Sequence, residues 1–479
     1  MKHLHPSLLI AGTWVEPATA ATIQVRSPTT EEILGEVPDA SEVDMDRAVD
    51  AARRAFDDPT GWSRWQPAER AAALVRLAEA LEKRGPETAR LVSSQNGMPL
   101  QLSLASEAVA PAGLLRYYAY LAEATPLEEQ RASFTGGTTT VRREPAGVVA
   151  AIVPWNYPQT LSFFKLAPAL AAGCTVVLKP APETVLDAYV LAEAVLEAGL
   201  PAGVLNIVPA GREVGAYLVQ HPGVDKVAFT GSTAAGRAIA EVCGRLLRPV
   251  TLELGGKSAA IVLDDADLAA FAAELLTSCL LNNGQTCYLG TRILAPRSRY
   301  ADTVAAIEQV ARDLEVGDPL SLSTQVGPVS SDRQRSRVEH YIGLGVQQGA
   351  RLVTGGRRPP HLQRGFFVEP TVFADVDNSS AIAREEIFGP VVCVIAYDDD
   401  RDAVRLANDS PYGLGGSVWT TDVARGLEIA RQVHTGSIGI NGYAIDIGSP
   451  FGGVKDSGLG RELGPEGLSA YQQLKSVYH

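Results

Sequence analysis

Read for its period, the first quarter of the chain predicts helices. Residues 41–58 and 67–84 carry apolar positions at helical spacing, with Ser41 as N-cap of the first and Gly85-Pro86 as the stop of the second. Residues 102–125, rich in Leu, Ala and Tyr, read as a further helix. RASFTGGTTTVRREP then mixes small, β-branched and polar residues around Gly136-Gly137, which predicts a protruding hairpin.

From residue 147 the pattern changes. GVVAAIV is short, wholly apolar and β-branched, as a strand buried on both faces would be. A helix-like segment follows to Gly173, and TVVLK is the next strand. Residues 184–198 read as a helix, with Gly199 just past its end and Pro201 beyond. VLNIV, KVAFT and PVTLEL are further strands, separated by the helices EVGAYLVQ and TAAGRAIAEVC. This alternation predicts a doubly wound parallel sheet ending near residue 255. SAAIVLDDADL opens a second α/β block, with strands TRILA, GFFVEPTVF and PVVCVIAY and helices at 300–314, 331–348 and 401–407. The closing GLSAYQQLKSVYH reads as a terminal strand that needs a partner, another subunit among the candidates.

Composition sharpens this picture. A chain of 479 residues exceeds one ordinary core, so two or three domains are expected. A net charge of −13 argues against nucleic acid and anionic membrane as partners. No stretch reaches the ~20 apolar residues of a membrane helix. The most apolar, FFKLAPALAAGCTVVLK, is interrupted by Lys165, Pro168 and Gly173. The N-terminus lacks the long apolar core of a signal peptide. Five cysteines without CxxC spacing argue against a disulfide framework, so a cytoplasmic location is expected. Seven histidines form neither HxxxH nor HExxH, and no metal site is expected.

Cys287 lies in LNNGQTCYLGTR, an otherwise apolar helix-like segment flanked by polar residues, where Gly284 permits a close backbone approach. A thiolate is the best soft nucleophile available near neutral pH. Cys174, Cys243 and Cys393 sit inside apolar runs and read as small buried hydrophobes. Cys279 reads the same way, packed on the same helix as Cys287. Two readings stand for Glu253, at the end of an apolar strand before two glycines: a side chain turned to solvent, or a partly desolvated general base. Asn156, after Pro154-Trp155, is either loop chemistry or a donor to a developing oxyanion alongside the Cys287 N–H. FTGSTAAGR places Gly231 and Ser232 where helix N–H groups could hold a pyrophosphate, although it is not GxGxxG. Lys179 is either an exposed strand end or a reach toward ribose or phosphate oxygens.

Taken together, the motifs resemble the aldehyde dehydrogenase superfamily. They run in order over nearly the whole chain: Pro154-Trp155-Asn156, Lys179-Pro180, Phe229-Thr230-Gly231-Ser232, Glu253-Leu254-Gly255-Gly256-Lys257, Gly284-Gln285-Thr286-Cys287, Glu386-Ile387-Phe388-Gly389-Pro390 and Pro450-Phe451-Gly452-Gly453. The resemblance implies two doubly wound α/β domains plus a small β oligomerisation arm. Residues 1–125 and 144–255 would form the cofactor domain, 256–450 the catalytic domain, and 126–143 with 466–479 the arm. It implies NAD(P)-dependent oxidation of an aldehyde to an acid. Cys287 would be the nucleophile, Asn156 the oxyanion donor, Glu253 the hydrolytic base, and Lys165 and Glu462 a proton relay. Val153, Pro154, Trp155, Lys179, Pro182, Glu183, Gly211 and Gly215 would line the cofactor site. Phe229, Thr230, Gly231, Ser232, Leu254, Gly255, Glu386 and Phe388 would complete it, Glu386 on the nicotinamide ribose.

By the same resemblance, Tyr157, Thr160, Leu161, Phe164, Tyr288, Ile445, Ile447 and Phe451 would line the substrate tunnel. That set is apolar and aromatic, which suits aliphatic, terpenoid or aromatic aldehydes; Asp446 is the exception. Many NAD-preferring relatives carry a Glu where this chain has Pro182, so NAD with tolerance of NADP is expected. A homodimer or homotetramer is expected. A CoA-acylating semialdehyde dehydrogenase is a competing reading that Glu253 opposes. A catalytically silent structural member is another, opposed by the presence of both Cys287 and Glu253.

Overall fold

In a computed structural model the chain is described from residue 3 to residue 479. The wholly apolar runs form the middle of one parallel sheet. Its order is Val250–Glu253, Lys226–Thr230, Val148–Ile152, Thr175–Lys179, Leu205–Ile207, and all but Val250 of these residues are buried. Leu8–Ile10 and Thr13–Val15, which hydrophobic periodicity missed, extend one edge antiparallel. Gly458–Leu459 returns from the end of the chain to the other edge.

Helices cover both faces: α1 Glu42–Asp57, α2 Pro67–Asn96, α3 Leu100–Ala105, α4 Ala110–Ala124, α5 Pro158–Ala172, α6 Asp187–Ala198, α7 Arg212–Gln220 and α8 Thr233–Arg245. The Val148–Ile152 strand lies centrally, with the next strand on one side and Lys226–Thr230 on the other. The winding therefore reverses between Ile152 and Thr230, and the loops at their carboxyl ends diverge into a crevice.

A second sheet is parallel over Thr371–Ala374, Val391–Tyr397, Arg292–Pro296, Ala259–Val262, Gly416–Trp419 and Gly439–Ile440, with Arg351–Thr354 antiparallel at one edge. The predicted hairpin is present as Glu128–Ala132 and Thr138–Pro145. The terminal strand Gln472–Tyr478 pairs with its second strand. No helix among the described residues is long and apolar enough to cross a membrane.

Three expectations are corrected. Gly85-Pro86 does not stop α2, which runs on to Gly97 at φ +82°. An interior Pro costs about 3 kcal/mol. Burial of Leu74, Leu77, Leu81 and Val92 offsets this, and a bare Gly85 lets Ala108 approach. The 102–125 helix is two helices, because Pro111 has no N–H to continue a ladder and sits instead in the first turn of α4. Of GFFVEPTVF only the last three residues are strand, in Thr371–Ala374, since Pro370 cannot donate to a ladder.

Candidate active site

The segment leading to Cys287 is a broken helix. Leu276–Leu280 forms one wide turn, then Asn282, Asn283 and Gly284 all take positive φ. The chain reverses there, so Cys279 and Cys287 do not share a helix as expected. A Cβ at Gly284 would lie 2.0 Å from the Gly389 carbonyl oxygen, so only glycine fits. Asn283 pins the turn, donating to the carbonyls of Gly97 (2.8 Å) and Pro328 (2.9 Å) and accepting from the Gly327 N–H. Of the five cysteines, four are buried and Cys287 alone is half-buried.

The crevice loop at the end of Val148–Ile152 is stitched to this turn. Asn156 Nδ2 donates to the Gln285 carbonyl at 3.0 Å, which leaves its second N–H. The Asn156 carbonyl accepts from Asn282 Nδ2 (3.0 Å) and Asn96 Nδ2 (3.2 Å). The Tyr157 hydroxyl and Thr286 Oγ1 are 2.8 Å apart.

Glu253 is buried, and neither carboxyl oxygen has a hydrogen-bond partner. Burial and the neighbouring Glu462 push it well above the usual carboxylate range, while Lys165 and Arg461 pull it down. A Cβ at Gly452 would lie 2.6 Å from its Oε1, so the bare glycine makes room for this carboxyl. Behind it, Lys165 Nζ donates to Glu462 Oε1 at 2.7 Å and to Thr230 Oγ1 at 2.5 Å, entirely out of solvent. The Cys287 thiol is pushed above its ordinary value by burial and by the carboxyls of Glu386 and Glu253. Backbone N–H groups of Cys287 and Tyr288 pull it back.

A cleft of about 480 Å³ runs from Cys287 along the reversal of the sheet, bounded by Pro154, Trp155, Thr230, Gly231, Ser232, Leu254, Gly255, Glu386 and Phe388. Trp155 and Phe388 meet edge to face at 5.4 Å. Ser232 caps α8, accepting from the Ala235 N–H. Glu386 Oε1 accepts from the Gly256 N–H at 3.0 Å, and burial pushes its acid up to about 7. A helix N-terminus, a carboxyl for hydroxyls and flanking aromatic rings fit a dinucleotide.

The other expected cofactor residues do not bound this cleft. Lys179 is no exposed strand end. Its buried Nζ donates to the Ala210 and Pro180 carbonyls, and burial lowers it to about 8. Gly215 lets it pass, since a Cβ there would be 3.1 Å from its Cδ. The Gly211 N–H donates to Asp39, the Val153 N–H donates to the Lys179 carbonyl, and Phe229 lies under Gly231. Pro182 opens a single 3₁₀ turn, and Glu183 pairs with Arg333 at 3.1 Å. Arg333, Gln334 and Arg337, on the 332–347 helix, line the cleft and were not expected. Nothing in their local sequence distinguishes them from any polar helix face; only the packing brings them here.

Tyr157, Leu161, Phe164 and Phe451 share one buried cluster, with Cys287, Tyr288 and Ile445 packed against it. Phe164 and Phe451 meet at 6.2 Å, and Tyr288 stacks on Tyr443 at 4.5 Å. Tyr443 is an addition to the expected wall. Ile447 lies at the surface, and exposed Asp446 accepts from the Gly448 N–H and Ser449 hydroxyl of its own turn. The Thr160 hydroxyl donates to Glu107.

Residues 14–477 match the aldehyde dehydrogenase family. The chain belongs to that family. It is 57% identical over 474 residues to the geranial dehydrogenase of Castellaniella defragrans, covering 99% of this chain and 98% of that protein. Among solved structures, the Mycobacterium tuberculosis aldehyde dehydrogenase complexed with NAD+ superposes with a TM-score of 0.98 at 49% identity, covering 100% and 99% of the two chains. A mutant of aldehyde dehydrogenase C of Pseudomonas syringae, complexed with NAD+ and octanal, gives 0.96 at 39% identity, covering 100% and 98%. The doubly wound fold is thus the one this family shares.

Proposed function

We propose that this aldehyde dehydrogenase oxidises an apolar aldehyde, terpenoid, aliphatic or aromatic, to its carboxylic acid with NAD+. The observation that carries the reading is the setting of Cys287, between the Asn156 amide, the unpaired Glu253 carboxyl and the aromatic wall. The relatives that act on geranial or are complexed with octanal support the apolar class.

Glu253, as carboxylate, takes the proton of the Cys287 thiol, and the sulfur attacks the aldehyde carbon. The free N–H of Asn156 and the Cys287 backbone N–H hold the oxyanion; one such donor is worth about 3–4 kcal/mol. When bound, NAD+ supplies the hydride acceptor. Loss of hydride from that carbon leaves a thioester on Cys287. Once it has passed the thiol proton on through the Lys165–Glu462 pair, Glu253 deprotonates a water, the hydroxide adds to the thioester, and Cys287 leaves as thiolate with release of the acid. Lys165 and Glu462 return the proton from Glu253 toward solvent. Trp155, Gly231, Ser232, Glu386 and Phe388 would hold the cofactor, Glu386 on the nicotinamide ribose.

An aldehyde panel that includes geranial, octanal and benzaldehyde tests this, with NADH read at 340 nm and product identified. Free acid from apolar aldehydes is expected. Acyl-CoA formed only with added CoA, or no turnover despite cofactor binding, would overturn it. NADP should also serve, because Pro182 supplies no carboxylate and the Glu183 charge is engaged by Arg333. A kcat/KM preference for NAD above about 10³, or ~4 kcal/mol, speaks against that tolerance.

The domain boundaries are proposed as read from the sequence: 1–125 with 144–255, 256–450, and the arm 126–143 with 466–479. Leu474, Val477, Tyr478 and Phe134 stand exposed on the arm, which supports a second copy of the chain as its partner, in a cytoplasmic homodimer or homotetramer. A monomer by sedimentation would exclude that role.

A further inference from the structure

We propose that Glu107, outside the reaction centre, is a positioning residue that sets Asn156 by capping α5 from a distance. This rests on the oxyanion role given to Asn156 above. The N-terminus of α5 has no cap of its own. Its N-cap residue is Tyr157, which makes no capping side-chain bond, and whose hydroxyl meets Thr286 instead. First-turn N–H groups have no ladder partner, and a buried donor left unpaired is costly.

Glu107 supplies the partner from the turn between α3 and α4. It is 1% exposed; its Oε2 accepts from the Gln159 N–H at 2.8 Å and its Oε1 from the Thr160 hydroxyl at 2.6 Å. The carboxyl group thus faces the positive end of a 15-residue helix. Burial pushes its acid up to about 8, while the bonds from Thr160 and Gln159 pull it down and buried Asp187 nearby adds to the rise. Gln159 is held at its other end too, its Nε2 donating to the Asp187 carbonyl (2.9 Å) and Oδ2 (2.6 Å).

Asn156 stands two residues ahead of α5. On its far side, the thiol turn grips it through Asn282 and Gln285. Glu107 fixes the near side. Without it the first turn of α5 loosens and the Asn156 amide loses its aim, while the cleft walls formed by Gly231, Ser232, Leu254, Glu386 and Phe388 stand on other segments. A misplacement of about 1 Å costs on the order of a hundredfold in rate.

A double-mutant cycle on the full-length enzyme tests this, with kcat, Tm and NAD+ affinity by Trp fluorescence for wild type, Asn156→Ala, Glu107→Gln and the double variant. Glu107→Gln is expected to lower kcat about tenfold and leave NAD+ affinity within about twofold. In the Asn156→Ala background the same change is expected to cost less than about threefold. Equal factors in both backgrounds, or wild-type kcat in Glu107→Gln, overturn the inference. If Glu107→Gln does not fold, Thr160→Val removes one of the two donors and carries the same cycle with a smaller factor. Wild-type turnover checks the proposed reaction separately. Its absence overturns both readings, whereas turnover with equal factors overturns this one alone.

Discussion

Cys279 and Cys287 stand eight residues apart in one segment, yet they live in different chemistry. Cys279 packs in the core of the second sheet, fully buried, and burial pushes its thiol up to about 12. Cys287 is also pushed up, but by two carboxyls as well as by burial, with its own N–H and that of Tyr288 turned toward the sulfur. Cys279 is therefore inert packing, while Cys287 is a thiol whose charge the surroundings can control. The separation comes from three consecutive positive-φ residues, Asn282 to Gly284, which turn the chain out of the core and into the crevice.

The sharpest break of that comparison is Cys287→Ala. Acid formation should fall by at least about a thousandfold, with NAD+ still bound in a fluorescence titration. Retained turnover would move the nucleophile elsewhere. Glu253→Gln comes next: steady-state kcat should drop about 10²- to 10³-fold, and the NADH burst seen in rapid mixing should slow with it, because Glu253 also takes the Cys287 proton. A burst at the wild-type rate with turnover lost would place Glu253 in hydrolysis alone.

A smaller effect concerns pH. Glu386 is a carboxylate above about 7 and an acid below it, so kcat/KM for NAD+ should fall as pH drops through that value. Glu386→Gln should flatten this limb. Because the Cys287 thiol lies above its ordinary range, kcat should go on rising into alkaline solution. The least effect on turnover is expected from Cys279→Ala: kcat within about twofold, and stability lower by about 1–2 kcal/mol in a denaturant melt.

Much of this was legible in the chain. Buried parallel strands must be apolar on both faces, so GVVAAIV, TVVLK and KVAFT stood out, and their alternation with helices implied the winding. Cys287, Glu253 and Asn156 lay at the ends of such elements. Arg333, Gln334 and Arg337 were not legible, because a helix flanking a cleft carries no local mark of what faces it. The setting of Ile447 at the surface and of the Lys179 amine against the Ala210 and Pro180 carbonyls was hidden for the same reason: adjacency in sequence does not say which way a side chain turns. Helix α2 ran through Gly85-Pro86 because long-range burial outweighed a local breaker.

By itself, the sequence determined the family and the parallel sheet and named the candidate reacting groups, since these depend on residue type and on patterns a few residues long. The tertiary structure decided which of five cysteines is accessible, that Glu253 lies unpaired beside the Lys165–Glu462 pair, and that Glu107 caps a helix 52 residues away. Each of those depends on burial and on contacts between distant segments, which no local pattern encodes.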